Sequence, residues 1–353
     1  MATGHDGLER VEEVRAWVPP DRGLRSATPE EIRAGYTTDV YFVGTRQVLA
    51  ALGRQDTPVT AEIFANEAGL LAGVEEALSL LAPLPVTVEA LDEGTPVVSR
   101  QVVMRIRGRY RDFGIFETAL LGILASSSGW ATRTREIVEA ARPLPVISFG
   151  ARHVHPAVAS VMDRAALVGG AAGASSVLGA RQAGQIPQGT MPHALILIVG
   201  DTVEAARVFD RLMPPDTPRT VLVDTFHDEA EEALRVAAAL GDHLAAVRLD
   251  TPRERGGVTP HLVRELKARL SQAGFGHVGI FVSGGLTPER VVALKEAGAS
   301  GFGVGSWIAG APPLDMTMDL KEVDGRPVAK RGRIPGITPS PGLRLRLEGF
   351  SGV

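Results

Sequence analysis

Arg and Asp residues set directly behind short apolar runs are the first chemically suggestive feature of this 353-residue chain. Arg248 and Asp250 straddle the end of the run Ala246–Leu249, and a spacing of two in an extended strand puts both side chains on one face. A cation for phosphate or carboxylate beside an acid for ribose hydroxyls is the pairing a phosphorylated sugar needs; a plain rim ion pair has the same spacing. Asp224 follows Val221–Val223 in the same manner, either to act on a ligand or to cap the next turn through Thr225 and Asp228. Ser283-Gly284-Gly285-Leu286 leads into a helical pattern opened by Thr287-Pro288, and Gly303-x-Gly305 comes one strand later. Backbone N–H groups at such turns, with a helix N-terminus behind them, hold phosphate oxygens; alternatively the glycines only make tight turns. Gly189-Thr190-Met191-Pro192-His193 precedes the apolar run Ala194–Val199, so that His193 is read as opening a strand, in a structural or a functional role. His153 and His155 have a metal-like spacing but no third ligand, and no metal site is expected. Arg105, Arg107, Arg109 and Arg111 alternate along one strand face, which is read first as a solvated face or a subunit contact.

These groups need elements to position them. Strand-like runs recur at Val146–Phe149, Ala165–Val168, Leu195–Val199, Val221–Val223, Ala246–Leu249, Ile280–Val282 and Gly301–Val304. Helical patterns at Asp228–Leu240, Pro260–Gln272 and Pro288–Ala297 lie between several of them. Strands alternating with helices mean a parallel sheet, and polar or glycine residues after each strand favour a barrel with its reactive groups at the carboxyl ends. Residues 1–115 read as a Pro-interrupted arm and a small α/β domain, with helices at Thr45–Leu52 and Val74–Leu81 and strands at Thr60–Phe64, Val86–Ala90 and Val97–Arg107. Residues 116–310 form the barrel domain, entered by a helical stretch Phe116–Ala141, and 311–353, with the hairpin-like Glu322–Ala329, return to the small domain.

Composition narrows the chemistry. A formal net charge of −4 gives no global field for nucleic acid or an anionic membrane. The absence of Cys removes disulfides, thiolate nucleophiles and iron–sulfur clusters, and fits a reducing interior. The longest pure apolar run, Ala194–Val199, is far short of the roughly 18 residues a membrane span requires, and a cytoplasmic chain is expected.

Taken in order, Thr38-Asp39-Val40-Tyr41, Phe116–Leu124, Ser148-Phe149-Gly150-Ala151-Arg152, Gly189–His193, Val223-Asp224-Thr225, Val247–Asp250 and Val282–Leu286 resemble the nicotinate phosphoribosyltransferases, within the wider nicotinate, nicotinamide and quinolinate transferase group. The resemblance covers about residues 35 to 335. It implies an incomplete α/β barrel joined to an open-faced α/β sandwich, in a head-to-tail homodimer with shared active sites. Phe149 and a neighbouring subunit's Tyr41 would sandwich the pyridine ring, with Asp39 beside it. Arg152 and Arg248 would meet carboxylate and phosphates, Asp250 the ribose, and Gly284, Gly285, Gly303 and Gly305 the 5′-phosphate, with Thr190 and Ser283 among the binding residues. His193 matches the histidine phosphorylated in ATP-coupled relatives, so ATP is an expected co-substrate and Mg²⁺ would arrive mainly on substrate pyrophosphate. Amide-using relatives carry an Asp where this chain has Ser175, which favours nicotinate over nicotinamide. Quinolinate phosphoribosyltransferase and a non-catalytic sugar-phosphate binder on the same scaffold are the alternatives, and the role of residues 336–353 stays open.

Overall fold

The computed structural model describes residues 8–19 and 22–350. Two compact units emerge, one from residues up to Gly129 together with those from Pro312 on, the other from Trp130–Ala311. Apart from a two-stranded pair of Gly69–Leu70 with Pro96–Val97, the strands in chain order are β1 (Pro58–Ala65), β2 (Thr87–Ala90), β3 (Val102–Arg109), β4 (Val146–Ser148), β5 (Gly173–Ala174), β6 (Arg219–Leu222), β7 (Leu244–Leu249), β8 (Gly279–Ser283), β9 (Gly301–Val304), β10 (Met316–Val323), β11 (Arg326–Pro327) and β12 (Arg344–Leu347). The boundary read at 115/116 lies instead inside the helix Glu117–Ala141. A helix of 25 residues outruns a single core: Leu120 and Leu124 pack in the first unit, Ile137 and Ala141 in the second.

The first unit is built on an antiparallel sheet ordered β11-β10-β1-β3-β2-β12. Ile63, Met104 and Ile106 on its central strands are fully buried, against helices that include Val74–Leu81. The strand read at Val97–Arg107 is interrupted, because Arg100 turns the chain with φ +70° before β3 begins. Arg105 does not lie on a solvated face: it is buried, with Nη2 2.8 Å from Glu62 and Nη1 2.9 Å from Glu89. Arg111 has left the strand for the short helix Tyr110–Phe113. The C-terminal residues supply β10, β11 and β12, and the β10–β11 hairpin turns at Asp324-Gly325, both at positive φ as a tight hairpin requires.

The second unit carries a six-stranded parallel sheet ordered β5-β4-β9-β8-β7-β6. Val221, Val247, Leu249, Val282, Phe302 and Val304 are buried, the continuous apolar content that parallel strands covered on both faces demand. Among the described residues β5 and β6 are not paired with each other, so the barrel is open there. Two expected strands are helices. Ala165–Val168 ends the helix Pro156–Val168, whose start is fixed by Pro156 and by His155 Nδ1 accepting from Ala157 N–H. Leu195–Val199 belongs to the helix His193–Val199, closed by Gly200 at φ +88°. Short apolar runs fit a buried helix as well as a strand, and the capping residues decided here. No helix of the described residues is long and apolar enough to cross a membrane.

The helix Glu117–Ala141 offers a paired stability test. A Cβ on Gly129 would collide with the carbonyl of Pro312, whereas one on Gly122 would meet open space. Gly122→Ala should therefore stabilise the chain by about 0.5–1 kcal/mol, and Gly129→Ala should destabilise it by about 1–3 kcal/mol. Denaturant midpoints of the two variants shifting in the same direction would contradict this packing.

Candidate active site

The carboxyl ends of β4 to β9 bring most of the sequence-predicted residues to one mouth. Arg248, on β7, donates from Nε to Ser283 Oγ at 2.8 Å, from Nη1 to Thr190 Oγ1 at 2.7 Å and from Nη2 to Asp250 Oδ2 at 2.9 Å. Ser283 at the end of β8 returns its own proton to Asp250 Oδ1 at 2.9 Å. Three of the five guanidinium N–H donors are thus engaged, one from each nitrogen, and the guanidinium and the carboxylate are fixed to one another across three loops. The Arg248 and Asp250 side chains retain 15% and 18% exposure, enough to reach a ligand.

Beside them His193 begins its helix with Nδ1 3.0 Å from Thr225 Oγ1. Its Nε2 is 3.8 Å from Asp224 Oδ2 and 4.0 Å from Asp250 Oδ2. The Asp224 side chain is only 2% exposed and neither of its oxygens has a hydrogen-bond partner among the described residues. Burial, opposed by His193 and reinforced by Asp250, pushes its pKa up to about 6. The imidazole therefore faces two acids, one of them strained by desolvation.

Phe149 continues β4 and lies against β9, where a Cβ on Gly303 would collide with its ring and one on Gly305 would stand 2.9 Å from His153 Nε2. These two glycines make room for rings, a role that the phosphate-cradle reading did not anticipate. The Arg248 guanidinium carbon is 5.3 Å from the Phe149 ring centre, a cation–π approach that ties the ring to the ion-pair network. Gly284 and Gly285 have φ +92° and +58°, the left-handed region that favours glycine, ahead of the helix Pro288–Ala297.

Ser175 follows β5, with its N–H 3.0 Å from the Ser148 carbonyl. Its loop is pinned by a residue the sequence did not single out: buried Asp163 accepts from Ser148 Oγ at 2.7 Å and from Ser176 N–H at 3.1 Å. Arg253 was also missed. A Cβ on Gly285 would lie 3.4 Å from Arg253 Nη2, so this cation stands over the glycine turn. Its place three residues after Asp250 was the available signal. Arg152 stands on the turn Ala151–His153, exposed and without an ion-pair partner among the described residues.

Asp39 and Tyr41 belong to the first unit and form a group there. Tyr41 is 61% exposed, its hydroxyl 3.4 Å from Asp39 Oδ2, which also accepts from Thr118 Oγ1 at 2.8 Å. Glu117, next to Thr118, was not singled out by sequence; burial first and Asp319 second push it up to about 7.

The described residues include no group of three or more His, Asp or Glu placed to hold a metal. The orphaned oxygens of Asp224 and the nearby Asp250 fit only a cation whose remaining ligands come from substrate.

Two family models match the chain: quinolinate phosphoribosyl transferase N-terminal domain over residues 39–128, and its C-terminal domain over 130–319. Nicotinate phosphoribosyltransferase pncB2 of Mycobacterium tuberculosis is 34% identical over 67% of this chain and 51% of its own length. The chain therefore spans about half the length of that curated relative. Nicotinate phosphoribosyltransferase pncB1 of the same organism is 30% identical over 89% of this chain and 78% of the relative. A crystal structure of nicotinate-nucleotide pyrophosphorylase from Pyrococcus furiosus superposes with TM-score 0.86 at 46% identity, covering 90% of this chain and 82% of that one.

Asp224 supplies a pH test whose sign can be worked out. A carboxyl with a folded pKa of about 6 against an ordinary value of 3.8 keeps its proton longer when folded, so a penalty builds as pH rises between these values and persists above them. Asp224→Asn carries no such charge. It should be more stable than wild type at pH 7.5, by up to about 3 kcal/mol, with the gap closing toward pH 4. Unfolding midpoints measured across this range would contradict the assignment if the gap widened toward acid.

Proposed function

The chain belongs to the quinolinate phosphoribosyl transferase family, the type II phosphoribosyltransferases, and on that premise we propose that it joins nicotinate to phosphoribosyl pyrophosphate, giving nicotinate mononucleotide and pyrophosphate. The observation that carries the reading is the mutually fixed Arg248 and Asp250 beside the left-handed glycines of the β8 loop. Asp250 is an acceptor for ribose hydroxyls, while Arg248 and Arg253 supply positive charge for phosphate oxygens.

The pyridine nitrogen attacks C1′ with its own lone pair as the bond to pyrophosphate breaks, so no general base is required. Positive charge grows on the sugar and negative charge on the leaving group. The side chains have to orient the ring, neutralise the departing oxygens and exclude water. Phe149 gives the ring a flat, apolar support held against Gly303. Arg152 is free for the nicotinate carboxylate; Mg²⁺ carried on pyrophosphate would add charge neutralisation near Asp224 and Asp250.

His193 is the proposed link to ATP. With Nδ1 donating to Thr225, Nε2 keeps its lone pair and takes the γ-phosphoryl group as ADP leaves. Asp224 and Asp250 stabilise the charged imidazole so formed. Tyr41 is proposed to reach the ring of a second copy in a homodimer, which its exposure allows.

Quinolinate as the substrate is a second reading, favoured by the names of the two matching family models.

One assay separates the two: purified chain given labelled nicotinate should form the mononucleotide, and carboxyl-labelled quinolinate should release no carbon dioxide. Release at a comparable rate would transfer the assignment to quinolinate. Arg248→Ala should lower kcat/KM at least about a hundredfold, the size expected for one lost charge-assisted contact and the unpaired Asp250 it leaves. Incubation with γ-labelled ATP should yield an acid-labile phosphoprotein, and His193→Ala should abolish it; equal labelling of that variant would remove His193 from the coupling.

A further inference from the structure

The second unit buries a carboxylate to which the chemistry above gives no part. Asp163, on the helix Pro156–Val168, is 0% exposed and has no ion-pair partner among the described residues. A buried carboxylate without a cation is costly unless hydrogen bonds compensate it, and this one is surrounded by donors. Its Oδ1 accepts from Ser148 Oγ at 2.7 Å, and its Oδ2 accepts from Ser176 N–H at 3.1 Å and from Ser176 Oγ. Ser176 Oγ in turn accepts from Gly179 N–H at 3.3 Å, as the N-cap of the helix Val177–Gln182. A Cβ on Gly179 would collide with Asp163 Cβ, so the glycine is what lets the carboxylate reach the start of that helix.

Ser148 ends β4 and is followed by Phe149, the ring support proposed above. Ser176 is preceded by Ser175, the position at which amide-using relatives carry an acid. Ser175 N–H also reaches the Ser148 carbonyl at 3.0 Å, so the two strand ends are joined directly as well as through Asp163. One buried side chain thus fixes the residues adjoining Phe149 and Ser175 from behind, without facing the mouth itself. Arg248 and Asp250 are held by a separate set of hydrogen bonds, to Ser283 and Thr190.

We propose that Asp163 is a positioning residue for the pyridine substrate, setting the spacing between Phe149 and the Ser175 loop and so the fit of a flat ring between them. The proposal rests on the reading of Phe149 as the ring support. Reacting atoms have to be held about 3–3.5 Å apart, so a small shift of the ring is costly to binding in the reactive pose and to rate. Loss of the Asp163 contacts moves the pyridine walls and leaves the Arg248–Asp250 network intact, which separates the two substrates in their response.

Steady-state kinetics of the full chain with each substrate varied in turn, alongside calorimetric binding of nicotinate, test this. Asp163→Ala should raise KM for nicotinate and weaken its binding at least about tenfold, while KM for phosphoribosyl pyrophosphate stays within about twofold of wild type. Asp163→Asn should restore the nicotinate values, because its amide oxygen still accepts from Ser176 and its N–H₂ donates to Ser148 Oγ. If the alanine variant fails to fold, Ser148→Ala cuts the same tie at its other end and should show the same split. A wild-type chain that turns over quinolinate in place of nicotinate overturns the proposed substrate alone, and the split is then read with quinolinate; a wild-type chain that binds neither pyridine overturns both. The inference itself is overturned by KM values that rise together for both substrates, by an unchanged pyridine KM in the folded variants, or by an asparagine variant as impaired as the alanine one.

Discussion

At the mouth of the open barrel a guanidinium and a carboxylate, two residues apart on one strand, hold each other at 2.9 Å, and the rest of the site is arranged around that contact. Neither charge could stay half-buried alone. Ser283 bridges both partners, and Thr190 takes the third arginine donor, so the loops after β7 and β8 and the loop before the His193 helix are fixed to one another. A ligand arriving here meets charges already in position, which keeps reorganisation out of the reaction barrier.

The same network reaches the aromatic floor. Arg248 approaches Phe149, and Phe149 can lie on β9 only because residue 303 has no side chain. The glycine pattern Gly301-x-Gly303-x-Gly305 thus sets how close a ring can come to the sheet: Phe281, Phe149 and His153 stand where the three Cβ atoms would project. A pattern that looks like phosphate chemistry in one dimension is at least partly a packing device in three. Gly284 and Gly285 have positive φ values and a neighbouring Arg253, which suit an anion.

Asp224 is buried beside an imidazole with less compensation than its charge calls for. Such a group is costly to the fold and is therefore informative about what the protein does with it. The Arg105 cluster is the contrasting case: a buried arginine with carboxylates from Glu62 and Glu89 and the Thr338 carbonyl, satisfied and structural.

Local signals in the sequence determined the helices Val74–Leu81, Pro260–Gln272 and Pro288–Ala297, whose apolar spacing and flanking Pro, Thr and Gly residues act within a few positions of the chain. They also determined that Arg248 and Asp250 share a face, because the two-residue period of a strand is a property of the backbone itself. Only the tertiary structure decided that Ala165–Val168 and Leu195–Val199 are helices, since an apolar run becomes a strand only where a neighbouring strand can pair with it. It alone placed Asp163 behind the Ser175 loop and Arg253 over Gly285, because these contacts join residues from separate elements and leave no periodic trace in the chain. Burial decided the rest: Asp224 reads as one more acid after a strand until the surrounding fold removes its water and leaves His193 as its nearest charge partner.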